Sequence, residues 1–387
     1  MDQPAQALRD VFGFEHFRPG QAEAVGAALE GRDSLVVMPT GSGKSICYQL
    51  PALMRDELTL VVSPLVSLMQ DQTGALSMIA PGQAAVINSQ RRAAENASAL
   101  ERALSGELRL LYVAPERFAA RGFQEAMRGA RLGLFVVDEA HCVSQWGHDF
   151  RPDYLALAEV AEALGSRATM ALTATATLPV ADDIARRLLL RDPIRVRTGF
   201  DRPNLTFEVI RCGGALDKRR RLAAALSAPE ALPAIVYAGT RSASEQLAVV
   251  LARELGLPQG VVNYHAGLDR AARAIVQERF MSGSAPVIVA TNAFGMGIDK
   301  ADVRTVCHAA VPSSLEAYYQ EAGRAGRDGA RARCLLFSER RDKGLHVFFI
   351  RRARVREEVF ERVAERLLWA GADGRYDLRA GDLLGVV

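Results

Sequence analysis

Apolar and polar positions alternate in blocks along this chain. Ser34-Leu-Val-Val, Leu58–Ser63, Ala84–Ile87, Arg109–Val113, Gly133–Val137 and Ala168–Leu172 are short runs, rich in branched side chains and bounded by turn residues. The stretches between them, such as Ala93–Leu104, carry helical spacing. Residues 5–30 read as helical with a break around Phe12–Gln21, where Pro19 and Gly20 stand at the start of a second helix. Strands alternating with helices predict an α/β fold, with a mainly parallel sheet flanked by helices. Around Asp192–Asn204 the sequence turns to Pro, Gly, Arg and Asp, which reads as a connection. A second alternating set follows at Ala234–Tyr237, Gly260–Tyr264, Val287–Ala290, Thr305–Ala309 and Ala332–Phe337. Two α/β halves are therefore expected, over residues 1–198 and 199–340. Residues 341–387 are expected to add a short helical segment. There, positions 353–369 place Val355, Val359, Phe360, Val363, Leu367 and Leu368 on one side of a helix, before a turn at Gly371–Gly374.

Composition changes this picture little. A chain of 387 residues can bury two or three cores, and a net charge of +3 neither demands nor excludes a nucleic-acid partner. Charge is uneven, however: Arg340–Arg356 holds seven basic residues against one acidic residue, Asp342. The five cysteines are scattered without a C-x-x-C pair, which argues against a disulfide framework and a zinc site. With no basic-then-apolar leader and no run of 18 apolar residues, a soluble, cytoplasmic protein outside any membrane is expected. The apolar ending Leu383–Val387 suggests a truncated chain.

Chemistry enters at Met38-Pro-Thr-Gly-Ser-Gly-Lys-Ser45, between a predicted strand and a predicted helix. Such a turn aims backbone N–H groups and the positive end of a helix at one point, which suits phosphate oxygens. Thr40, Gly41, Ser42 and Gly43 would line this cradle for the phosphates of a nucleotide. Lys44 would reach the β- and γ-phosphates, and the Ser45 hydroxyl would ligate Mg²⁺. Met38 stands where the common form of the motif has Gly. Phe135-Val-Val-Asp-Glu-Ala-His141 places two carboxylates at the end of a buried run, where parallel-sheet proteins assemble their sites. Asp138 would hold Mg²⁺ through water, Glu139 would polarise the attacking water, and His141 would link the pair to neighbouring motifs. Leu172-Thr-Ala-Thr-Ala-Thr177 offers small hydroxyls able to relay the nucleotide state. In the second half, Arg324 and Arg327 are three apart and would share one face of a helix. An Arg reaching across from a second domain would stabilise charge spreading over the γ-phosphate.

Taken together, these motifs resemble a superfamily 2 helicase core of two RecA-like domains, and within that superfamily the RecQ family of DNA helicases. The resemblance covers about residues 8–340. Phe17-Arg-Pro-Gly-Gln21 resembles the family's motif before the phosphate loop, which implies that Gln21 and Arg18 bind adenine and that Phe14 stacks on it. Ser63–Gln72 and Ala114–Arg117 resemble DNA-facing loops of the first domain. Ile235–Arg241, Ala290–Lys300 and Gln320–Arg327 resemble motifs of the second. Cys142-Val-Ser-Gln-Trp-Gly-His-Asp-Phe-Arg-Pro152 resembles the aromatic-rich loop that RecQ proteins carry after the Asp-Glu-Ala-His box. There Trp146 and Phe150 offer stacking surfaces for bases, and His148 and Arg151 can meet phosphate or carboxylates. The resemblance implies nucleic-acid contacts at Ser63, Gln145, Trp146, His148, Phe150, Arg151, Arg241 and Thr291. Many RecQ proteins continue into a four-cysteine zinc site and a winged helix, but no Cys follows Cys334 here.

The expected protein is thus a monomeric ATP-dependent DNA helicase, moving 3′→5′ on single-stranded DNA and acting at single/double-strand junctions in repair and recombination. Its cofactors are ATP and Mg²⁺, and its catalytic residues are Lys44, Asp138, Glu139, Arg324 and Arg327. The rivals are a DNA-stimulated ATPase that unwinds weakly, an RNA helicase and a non-catalytic scaffold.

Overall fold

A computed structural model of the chain describes residues 3–119, 121–144, 150–199, 201–294, 300–342, 344, 347 and 357–368. Its strands are β1 (Ser34–Val37), β2 (Leu58–Val62), β3 (Ala84–Ile87), β4 (Leu110–Val113), β5 (Leu132–Val137), β6 (Thr169–Thr173), β7 (Ile194–Arg197), β8 (Leu205–Arg211), β9 (Ala234–Tyr237), β10 (Val261–Tyr264), β11 (Val287–Ala290), β12 (Thr305–His308) and β13 (Ala332–Ser338). They form two sheets, in the orders β3-β4-β2-β5-β6-β1-β7 and β10-β11-β9-β12-β13-β8. Every paired strand runs parallel to its neighbour.

The apolar runs explain this arrangement. β1, β2, β4, β5, β9, β11 and β12 are buried along their whole length. That requires helices on both faces, as crossover connections supply. Successive residues serve opposite layers: Leu35 and Val37 join one core cluster and Val36 the other. In the second sheet Ile235 and Tyr237 face one core while Ala234 and Val236 face the other.

One expectation changes. The connection predicted over Asp192–Asn204 contains β7, which pairs with β1 at the edge of the first sheet. Arg195 and Arg197 alternate with Ile194 and Val196, and only Val196 is buried, so an edge strand exposed on one side reads as a charged linker. A helix over Glu357–Leu368 falls within the one predicted for 353–369. The turn at Gly371–Gly374 and most of the basic stretch 343–356 lie outside the described residues. No helix among the described residues is long and apolar enough to cross a membrane.

Candidate active site

The loop 38–45 leaves the carboxyl end of β1 and enters the helix Ile46–Leu53. Gly43 has φ +78°, a left-handed backbone that favours glycine, and Gln21 Nε2 lies 2.7 Å from where a Cβ would stand. Gln21 is buried, and its amide donates to the carbonyls of Ser42 (3.1 Å) and Gly43 (2.9 Å). Arg18 Nη1 donates to Gly41 O at 2.6 Å. The two residues expected at adenine are thus bonded to the phosphate loop itself. Phe14 is 49% exposed, leaving its ring open to stack. Ser45 begins the helix without a side-chain capping bond. Lys44 Nζ donates to the carbonyls of Met38 and Pro39, both at 3.2 Å. Burial pushes the Lys44 pKa down, while Glu139 and Asp138 oppose the shift and the charge of Arg327 adds to it.

Lys44 therefore feels both carboxylates of its own half and an arginine of the other. β2 and β5 are neighbours that end level, Val62 opposite Val137, which brings Ser63 beside Asp138. Ser63, expected among the nucleic-acid contacts, is buried, with its Oγ 3.4 Å from Asp138 Oδ2. Asp138 Oδ1 accepts from the Glu139 N–H at 3.0 Å. Burial, reinforced by the negative charge of Glu139, raises the Asp138 pKa to about 7. Glu139 takes a left-handed φ of 49°, a conformation that non-glycine residues adopt at a cost and that clusters at functional sites. Its Oε2 is 3.3 Å from His141 Nδ1 without hydrogen-bond geometry. The same His141 nitrogen is 3.0 Å from Thr173 Oγ1, which joins the carboxylate pair to the threonine segment.

Arg324 and Arg327 do not lie on a helix. The helix Leu315–Ala322 ends at Gly323, and both arginines follow on a turn. At Gly326 φ is +54°, and an added Cβ would meet Asn204 Nδ2 at 2.5 Å and the Ala330 carbonyl at 2.7 Å. Arg324 is buried and acts electrostatically on Tyr237. Arg327 reaches the other half: its Cγ lies 3.5 Å from the point where a Cβ on Gly41 would stand.

The set fits a polyanion with a divalent cation. Lys44 and Arg327 bring positive charge to the same neighbourhood as the carboxylates Asp138 and Glu139. Ser42 Oγ, Glu139 Oε2 and Arg324 Nε are buried without hydrogen-bond partners among the described residues. Buried polar atoms left unpaired cost stability unless something satisfies them; a bound phosphate group can accept from Ser42 Oγ and Arg324 Nε, and a water molecule can donate to Glu139 Oε2.

Sequence reasoning missed three participants. Tyr154 is buried and donates its hydroxyl to the Asp138 carbonyl at 3.0 Å, tying the segment after the aromatic-rich loop to the carboxylates. His308 is buried, 2.8 Å from Glu321 Oε2 and stacked on Tyr237. Arg202 Nη1 donates to Thr40 O (3.0 Å) and Gly323 O (3.3 Å), and its Nη2 to Ala325 O (3.0 Å) and Gly326 O (2.9 Å). The signal for Arg202 was its place in the connection between halves, next to Pro203.

Of the remaining expected contacts, Arg241 is exposed at the start of the helix Arg241–Glu254, with Nη1 3.2 Å from where a Cβ on Gly267 would be. Thr291 is buried at the end of β11. Phe150 and Arg151 are partly buried, and the Arg151 N–H donates to Cys142 O at 2.9 Å. Gln145, Trp146 and His148 lie outside the described residues.

The DEAD/DEAH box helicase family matches residues 18–184, and the helicase conserved C-terminal domain matches residues 217–329. The chain is 43% identical over 336 residues to the ATP-dependent DNA helicase RecQ of Haemophilus influenzae, covering 87% of this chain and 53% of that protein. It is 42% identical over 353 residues to the RecQ of Bacillus subtilis, covering 91% of this chain and 58% of that protein. The chain thus spans little more than half the length of these curated relatives. The crystal structure of the DUF1998 helicase MrfA bound to DNA and AMPPNP superposes with a TM-score of 0.72 at 18% identity, over 90% of this chain and 53% of that one. That likeness shows the fold, two RecA-like parallel sheets. With both family matches in chain order and more than 40% identity to two bacterial RecQ proteins, the chain belongs to the RecQ family of superfamily 2 helicases.

Proposed function

We propose that this chain is an ATP-dependent DNA helicase motor whose two RecA-like domains, residues 1–198 and 199–340, close on ATP at their interface. The observation that carries this reading is the meeting of Lys44, Asp138 and Glu139 from the first sheet with Arg327 from the second, which lies over Gly41. The phosphate loop and Lys44 bind the β- and γ-phosphates, and Ser45 and Asp138 hold Mg²⁺. When bound, that ion neutralises charge on the phosphate oxygens. Glu139 accepts a proton from water as the water oxygen bonds to the γ-phosphorus and the bond to the β–γ bridging oxygen breaks. ADP and phosphate result. Arg324 and Arg327 balance the charge that spreads over the γ-phosphate in the transition state.

The names of the RecQ relatives support DNA as the track. Gln145, Trp146, His148, Phe150, Arg151, Arg241 and Thr291 contact the single strand in this reading. By family resemblance, translocation runs 3′→5′ and serves repair and recombination. The test pairs an ATPase assay, with single-stranded DNA or RNA as stimulant, with strand release from a forked DNA duplex. Expected are stimulation by DNA above RNA and ATP-dependent release from a fork with a 3′ tail. Stronger stimulation by RNA contradicts the choice of track. Strong hydrolysis with no strand release reduces the chain to a DNA-stimulated ATPase.

A further inference from the structure

The segment that joins the two sheets is more than a tether. Arg202 stands between β7 and β8, and its guanidinium donates four hydrogen bonds, all to backbone carbonyls. Three acceptors, Gly323, Ala325 and Gly326, belong to the turn that carries Arg324 and Arg327. The fourth, Thr40, belongs to the phosphate loop of the other half. A planar fork with five donors can serve four acceptors at once, and a lysine ammonium cannot reproduce that geometry. Carbonyls just past the helix Leu315–Ala322 also carry the negative end of its dipole, which favours a cation there. Asn204 braces the same turn from the second half alone, donating to Gly326 O (2.8 Å) and Ala330 O (2.9 Å).

The two clamps differ in one respect. The bonds of Asn204 persist whatever the separation of the halves, whereas the full set around Arg202 exists only while Thr40 and Gly323–Gly326 are close together. We infer that Arg202 is a positioning residue for hydrolysis: it holds the phosphate loop and the arginine turn in register, so that Arg327 is placed over Gly41 when the cleft is closed. Arg202 acts through Arg324 and Arg327 and sits in the linker, so changes in linker path reach the ATP site through it. The inference rests on the reading that this cleft hydrolyses ATP.

The experiment uses the full chain with Arg202→Lys, Arg202→Ala and Asn204→Ala. It measures thermal melting, binding of a fluorescent ATP analogue, and kcat and KM of ATP hydrolysis with saturating single-stranded DNA. Misplacing a transition-state group should lower kcat about 10–100-fold in both Arg202 variants while changing nucleotide affinity less than about threefold. Added guanidinium ion should raise kcat in Arg202→Ala and leave wild type and Arg202→Lys unimproved. Asn204→Ala should lower the melting temperature with a smaller loss of kcat. Arg202→Lys that folds and turns over within about twofold of wild type would overturn the inference. So would parallel loss of melting temperature, nucleotide affinity and kcat without guanidinium rescue, which marks a structural staple only. A wild-type chain that binds nucleotide without hydrolysing it removes the underlying reading instead, and is seen before any variant is made.

Discussion

Lys44 and Asp138, proposed to hold phosphate and Mg²⁺, are both buried at a cost to their charged forms. Lys44 has only loop carbonyls as hydrogen-bond partners among the described residues, so removing it leaves no buried carboxylate bond broken. Lys44→Ala should therefore fold normally and lose ATP hydrolysis, and retained turnover would refute the phosphate-loop assignment. Asp138 gives a pH-dependent expectation. Its pKa is raised from 3.8 to about 7 in the folded protein, chiefly by burial. The folded chain thus holds a proton that the unfolded chain releases above about pH 4. Stability is full below the unfolded value, falls as pH rises from about 4 to about 7, and then levels off. Asp138→Asn removes this term, so in metal-free buffer its stability gain over wild type should be larger at pH 8 than at pH 5 by denaturant titration. An equal difference at both pH values contradicts the burial argument.

At the scale of elements, the arginine turn is the piece most sensitive to backbone change. Gly326→Ala places a Cβ against Asn204 and the Ala330 carbonyl at a left-handed φ. It should cost roughly 1–3 kcal/mol in unfolding free energy and lower hydrolysis beyond any loss of folded protein. Wild-type stability and turnover in that variant contradict the turn geometry. The same element shows where sequence reading stops. Arg324 and Arg327 at a spacing of three fit a helix, but Asn204 and Arg202, about 120 residues away in sequence, take the carbonyls that a continued helix would have used. Strands buried on both faces, such as β5 and β11, were legible because their apolar runs are continuous. β7 was not, because alternate arginines at a sheet edge look like a linker. The phosphate loop and the carboxylate pair were legible because their chemistry is local. Tyr154, His308 and Arg202 act through contacts that only the fold creates.

In the whole molecule, loops at the carboxyl ends of the two sheets meet where Arg327 lies over Gly41, and the proposed motor grips nucleic acid away from that cleft. A grip on phosphates displaces counterions, so affinity for single-stranded DNA should fall linearly in a plot of log K against log salt. A salt-independent affinity would contradict backbone contact. In the proposed motor, moreover, the catalytic site is completed only by the second half, through Arg327. This is tested most directly by the DNA-stimulated kcat of Arg327→Ala beside its affinity for an ATP analogue. The account predicts a fall in kcat of about 100-fold or more with nucleotide affinity little changed. Hydrolysis retained within a few-fold of wild type would show that the first half works alone and contradict the account.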